Sequence, residues 1–112
     1  MILNLNIKRG FSFKPFIGVP NNLVGTAAYD AYVAHEMTHY ERQGYFPAIW
    51  VAKYFTDKKF RYQEELLAFK AEIAKMRETG IRVNIHQFAM AMSTEYWGMI
   101  DYDTAYKDLM SA

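Results

Sequence analysis

The sequence predicts an α+β fold in which a small N-terminal antiparallel or mixed sheet packs against a bundle of four to five helices. Residues 2–7 and 11–19 alternate apolar and polar side chains, which is the period of a half-buried strand, and most of the remaining chain has helical spacing. The chain has 112 residues, 52% of them hydrophobic. We therefore expect one domain, residues 1–112, with enough apolar surface to form a core.

Two strands are expected at the start of the chain. Residues 2–7, ILNLNI, alternate, and residues 8–10 turn the chain. Residues 11–19, FSFKPFIGV, alternate again, but Pro15 cannot donate to a strand ladder and indicates an edge strand or a bulge. The composition of residues 20–26 is typical of a loop.

Helix-stopping residues and apolar periodicity divide the rest of the chain into helices. No residue between Ala27 and Gln43 breaks a helix, and Gly44 is a natural stop. The clearest pattern covers residues 61–79, where apolar side chains recur at steps of four, three, four and three. Charged residues form a turn before it. This turn spans residues 56–59. The other expected helices span residues 47–55, 85–97 and 103–111.

Composition narrows the classes of function. The formal net charge of +1 predicts no strongly basic face, so we expect no nucleic acid partner. No apolar run approaches the ~20 residues of a membrane span, and the start of the chain does not resemble a secretory signal. We therefore expect no membrane partner and a cytoplasmic location. Cysteine is absent, so metal ligands must be nitrogen or oxygen atoms.

The segment HEMTH, residues 35–39, has the spacing of a metal site on a helix. His35 and His39 lie one turn apart on one face, so both imidazoles can reach one ion at about 2.0–2.1 Å. Glu36 is rotated by about 100° around the helix, where it can act as general base on a water at the open side of the metal. Shuffling the chain gives this pattern roughly once in three hundred trials.

A third ligand is required because a catalytic zinc usually has three protein ligands. The candidates are His86, Glu64, Glu65 and Glu72. The apolar stripe of the 61–79 helix centres about 60° from Glu65, about 160° from Glu64 and about 80° from Glu72. We therefore expect Glu65 to look inward as the third ligand and Glu64 to face solvent. Glu72 is expected on a solvated flank, and His86 at the surface or near a helix start.

The motif His-Glu-x-x-His, followed after a short hydrophobic helix by Glu-x-x-Ala at residues 65–68, resembles the gluzincin-type zinc metallopeptidases. It is most similar to the very small domains of bacteria and their phages. The resemblance covers roughly residues 27–78 and implies a minimal zincin-like fold. It also implies that His35, His39 and Glu65 bind Zn²⁺, and that Glu36 is the general base in hydrolysis of a peptide or protein substrate.

The chain departs from this family at one position. Many relatives carry an Asp four residues after the ligand glutamate, where it orients a histidine, but this chain has Phe69 there. Asp30, Asp57 or a backbone carbonyl is expected to take that role.

The donor that stabilises the oxyanion is left open by spacing, because several side chains have suitable chemistry. The candidates are Tyr96, Tyr102, Tyr45, Arg42 and His86. An extended peptide is expected to pair along residues 11–19. A chain of this size has little room for a closed cleft, so a second copy or a partner protein is expected to complete it.

Two other classes of function fit the same residues. The first is a non-catalytic module that zinc stabilises, in which Glu36 has no role. The second is a metal-free helical interaction module that binds a protein through the Met-rich residues 88–99, although such a stripe is more often core.

Overall fold

Three short strands and five helices make up the computed structural model, which describes residues 1–94 and 98–111. All strands precede all helices, so the predicted α+β class is confirmed. A short 3-10 helix at Asn21–Leu23 lies between the two parts. The strands are β1 (Ile2–Leu5), β2 (Phe11–Phe13) and β3 (Phe16–Pro20). The helices are α1 (Tyr29–Arg42), α2 (Pro47–Thr56), α3 (Lys58–Glu78), α4 (Ile85–Thr94) and α5 (Tyr102–Met110).

The sheet is mixed, with β3 in the middle, β1 parallel to it and β2 antiparallel to it. One strand was predicted over residues 11–19, but a hairpin is found there, because Lys14 and Pro15 form a two-residue turn. In the order β1-β3-β2, β2 is an edge strand. Gly18 in β3 lies under the ring of Phe11, which occupies the space that a larger side chain would need.

Local chemistry fixes the helix ends near the site. Gly44 follows α1 with a φ of 64°, a left-handed conformation that glycine adopts without steric cost. Pro47 begins α2, since its fixed φ suits a first turn. Only Asp57 separates α2 from α3, and its carboxylate accepts a hydrogen bond from the Phe60 backbone N–H at 3.0 Å. The turn predicted over residues 56–59 is therefore one capping residue.

The two last helices pack against each other and on α3. The helix predicted over residues 85–97 is described as far as Thr94, and residues 95–97 lie outside the described part of the chain. Asp101 caps α5, because its carboxylate accepts a hydrogen bond from the Thr104 backbone N–H at 3.0 Å.

Helix α3 is buried on two sides. One side packs on α4 and α5 and forms the apolar core, and the other packs on α1, which also contacts β2 and β3. Met92 and Met99 are buried in this core, so this part of the Met-rich segment is core and not a free surface. No helix among the described residues has the length and apolarity needed to cross a bilayer. The buried core residues are Tyr62, Leu66, Phe69, Ile73, Ala89, Met92, Met99, Ala105 and Leu109.

Candidate metal centre

The three predicted ligands converge between α1 and α3. His39 Nε2 lies 2.7 Å from Glu65 Oε1, and His35 Nε2 lies 3.3 Å from Glu65 Oε2. All three side chains are buried. One potential ligand atom from each lies within 4.8 Å of the others, so this set can hold a metal ion.

The donors in this cluster fit zinc. Two imidazole nitrogens and one carboxylate oxygen form a ligand set found in catalytic zinc sites, which keep the fourth position open. Glu65 Oε2 is buried without a hydrogen-bond partner, although it faces His35 Nε2. Because a buried unpaired polar atom costs about 1–3 kcal/mol, a cation at this point would satisfy it.

Opposite charges hold the cluster together. Burial lowers the pKa of His35, but its close contacts with the carboxylates of Glu65 and Glu72 outweigh burial and raise this pKa to about 10. Burial raises the pKa of Glu65, but its close contacts with His35 and His39 outweigh burial and hold this pKa well below its ordinary value. Glu65 is therefore ionised at neutral pH, as a carboxylate ligand must be.

Glu72 orients His35 from the other side of the imidazole ring. His35 Nδ1 donates to Glu72 Oε1 at 2.9 Å, and the Glu72 side chain is 16% exposed. The predictions of a solvated Glu72, and of Asp30, Asp57 or a carbonyl as the partner, are therefore wrong. Glu72 lies about two turns after the ligand glutamate, on the side of α3 that packs on α1. Phe69 instead packs edge-on against the His35 ring, with centroids 4.6 Å apart.

Glu64 is buried, contrary to the prediction that it faces solvent. It is 2% exposed, and its carboxylate forms an ion pair with Arg42 Nε of α1. The apolar pattern of α3 reveals only the side that faces α4 and α5. Since α1 covers the opposite side, polar residues there are buried as well and need partners. His86 lies apart from the cluster, where it is exposed and its Nδ1 is 2.7 Å from the Tyr102 hydroxyl.

Glu36 lies beside the predicted ligand side chains, and a hydrogen bond from strand β2 holds it in place. The Ser12 hydroxyl lies 2.9 Å from Glu36 Oε2 and 2.6 Å from the Glu36 backbone oxygen, to both of which it can donate. Burial raises the pKa of Glu36, while attraction to His35 and His39 and the Ser12 hydrogen bond oppose this rise. Because Ser12 contacts only one carboxylate oxygen, the other can accept a proton.

Helix α1 fastens β2 on both sides of this contact. The Tyr32 hydroxyl accepts a hydrogen bond from the Gly10 backbone N–H at 2.6 Å. The buried Gln43 carboxamide accepts from Lys14 N at 2.9 Å and donates to Ser12 O at 2.5 Å. These backbone groups lie on the edge of β2 that faces away from β3. The Gln43 carboxamide therefore makes the two hydrogen bonds that a residue of a neighbouring strand would make with this edge.

A cleft of about 670 Å³ opens beside the cluster and is lined by Glu36, His39 and Glu65. Strand β2 and helix α2 supply its apolar walls. The Tyr54 hydroxyl of α2 donates to Glu65 Oε1 at 3.0 Å within the cleft lining. The apolar residues of the lining are Phe11, Phe13, Trp50, Val51, Tyr54 and Phe55.

Tyr54 and Ser12 carry the hydroxyls of the cleft lining, and the sequence singled out neither. Tyr54 is the tyrosine of this lining. With nine tyrosines in the chain, spacing alone gave no reason to prefer this one. Tyr96 lies outside the described residues. The other predicted oxyanion donors are not part of the cleft lining: Tyr45, Tyr102, Arg42 and His86.

Comparisons of the chain with protein families, with curated proteins and with solved structures find no match. The likeness to gluzincin-type metallopeptidases therefore depends on the sequence motif alone.

Proposed function

We propose that this chain is a zinc-dependent metallopeptidase that hydrolyses peptide bonds in a peptide or protein substrate. The observation that carries the proposal is the buried convergence of His35, His39 and Glu65 at a cleft that Glu36 also lines. A buried histidine or glutamate on its own also occurs in proteins that bind no metal. Together these residues are the ligands and the base that metal-assisted hydrolysis requires.

His35, His39 and Glu65 would hold the zinc, which when bound supplies Lewis acidity to a water and to the peptide carbonyl. Glu36 takes a proton from the attacking water and delivers it to the departing nitrogen. The water oxygen forms the new C–O bond and the peptide C–N bond breaks. Both water protons end on the nitrogen, which leaves as an ammonium group, and the other product is a carboxylate.

Two further side chains support this chemistry. Ser12 keeps the Glu36 carboxylate turned toward the cleft, because its hydroxyl contacts both the side chain and the backbone of Glu36. We assign Tyr54 as the donor to the carbonyl oxygen as negative charge develops there. Its hydroxyl lies beside the ligand Glu65, and in this role its one proton turns from Glu65 Oε1 to the carbonyl oxygen.

The test of the proposal is the Glu36→Gln variant. We expect it to bind one zinc per chain like the parent, and to hydrolyse an unfolded fluorescent protein substrate about 10²-fold more slowly or worse, because the base is lost. Glu41→Gln, which changes an exposed glutamate of the same helix, is the matched control and should cleave like the parent.

Hydrolysis by Glu36→Gln at the rate of the parent contradicts the proposal. Zinc bound by a parent that cleaves no substrate favours the non-catalytic zinc-stabilised module instead.

A further inference from the structure

We infer that the cleft recognises a bulky aromatic or aliphatic side chain of an extended peptide, and that strand pairing along β2 contributes little to binding. The inference rests on the proposed peptidase function and names the substrate class of that same site. Two independent observations carry it, which are the chemistry of the cleft walls and the hydrogen bonds on the outer edge of β2.

The walls of the cleft expose aromatic surface. Phe11 and Phe13 of β2 and Phe55 of α2 are all exposed although they line a concave site. Trp50 and Tyr54 stack beside them, with ring centroids 5.2 Å apart. Apolar surface of this kind gains free energy when a ligand covers it, so a large apolar side chain is the group that fits.

Charged side chains are disfavoured in the same place. The carboxylates of Glu36 and Glu65 line the cleft and would repel an acidic side chain. A basic side chain would be attracted by the same carboxylates, but it would lose hydration against the aromatic walls, which opposes this attraction.

Strand addition to β2 is obstructed because three backbone groups on its outer edge already have partners. Gln43 bonds Ser12 O and Lys14 N, and Tyr32 bonds Gly10 N. A peptide that pairs along this edge must displace the buried Gln43 carboxamide. Side-chain contacts must therefore supply most of the selectivity.

The experiment measures peptide binding to the zinc-loaded Glu36→Gln variant, which is not expected to cut the probe. The probes are fluorescein-labelled Gly/Ser decapeptides with one central Phe, Leu, Ala, Asp or Lys, followed by fluorescence anisotropy. We expect the Phe and Leu peptides to bind about tenfold or more tightly than the other three, as an apolar pocket discriminates. N-methylation of the two backbone nitrogens that flank Phe should change affinity less than about threefold.

Phe55→Ala and Phe46→Ala, each added to Glu36→Gln, form a matched pair. Both aromatic side chains are well exposed, at 59% and 69%, but only Phe55 lines the cleft. We expect Phe55→Ala to reduce the preference for Phe over Ala peptides about fivefold or more, and Phe46→Ala to leave it unchanged.

Three results would overturn the inference. They are equal affinity for the Phe and Asp peptides, no binding of any probe, and a loss on N-methylation as large as the loss on replacing Phe by Ala. Failure of the proposed function is read separately, from the parent protein, as absence of Glu36-dependent cleavage of the unfolded protein substrate.

Discussion

The two buried sides of α3 are stabilised by different interactions. The side toward α4 and α5 is apolar and forms the main core. The side toward α1 carries Glu64, Glu65 and Glu72, and each of these carboxylates faces a cationic or imidazole side chain of α1. Phe69 lies between the two, with its ring against both His35 and Phe88.

This difference separates stability from chemistry. Apolar burial is the dominant favourable term in folding, whereas buried ion pairs contribute little net stability because desolvation offsets their attraction. The apolar side of α3 is therefore expected to hold the fold, and the polar side to hold a ligand. The variants below test that division.

The largest expected effect on stability belongs to the apolar side. Ile73 is fully buried, so Ile73→Ala should lower the free energy of unfolding by about 2–5 kcal/mol, measured by urea denaturation. The loss should be the same with and without zinc. Leu67→Ala changes a side chain of the same helix that is 40% exposed, and it should cost less than about 1 kcal/mol. Equal losses for the two variants would remove the basis of the comparison.

Zinc removal should affect only the polar side. Free zinc at about 100 times its dissociation constant should raise the free energy of unfolding of the parent by about 2.7 kcal/mol, and a chelator should abolish this gain. Ile73→Ala should keep the gain, and Glu65→Ala should lose most of it. A gain of unchanged size in Glu65→Ala would mean that zinc binds elsewhere.

Glu72 sharpens the comparison because it supports the site without being a predicted ligand. We expect Glu72→Ala to weaken zinc binding about 10–100-fold, as loss of a group that orients a metal-bound histidine does. Glu72→Gln should recover part of the affinity, since its amide oxygen can still accept from His35 Nδ1. A competition titration against a chelating dye measures both. Glu78→Ala, at the exposed end of α3, is the control and should bind zinc like the parent.

The smallest effect on stability is expected at Asp57, the N-terminal cap of α3, which belongs to neither side alone. Asp57 closes the first turn of α3, so Asp57→Ala should cost about 0.5–2 kcal/mol of unfolding free energy. Asp57→Asn should restore most of it, because Asn is also a good cap. Zinc affinity should stay that of the parent, and a loss of zinc binding would show that the two sides are not independent.

The sequence predicted the apolar side of α3, but it did not predict most of the contacts on the polar side. The periodicity of residues 61–79 predicted α3 and an inward-facing Glu65, and the spacing of His35 and His39 predicted that both face one way. The burial of Glu64 and the contact of Glu72 with His35 were not predicted, because the partners of both glutamates on α1 lie 22 and 37 positions away in the chain. Spacing within one helix carries no information about such contacts.

Strand β2 shows the same limit. Its alternation was visible, but residues 24 and 29 positions apart create the Ser12–Glu36 and Lys14–Gln43 contacts. Only the packing of β2 on α1 shows that a hydroxyl holds the base and that a buried carboxamide covers the strand edge.

Zinc-edge X-ray absorption of the chain loaded with one equivalent of zinc is the most direct test. The predicted spectrum contains two imidazole nitrogens and a carboxylate oxygen at about 2.0–2.2 Å, and one imidazole disappears in His39→Ala. A spectrum without histidine scattering, or one that His39→Ala leaves unchanged, would contradict the metal centre between α1 and α3.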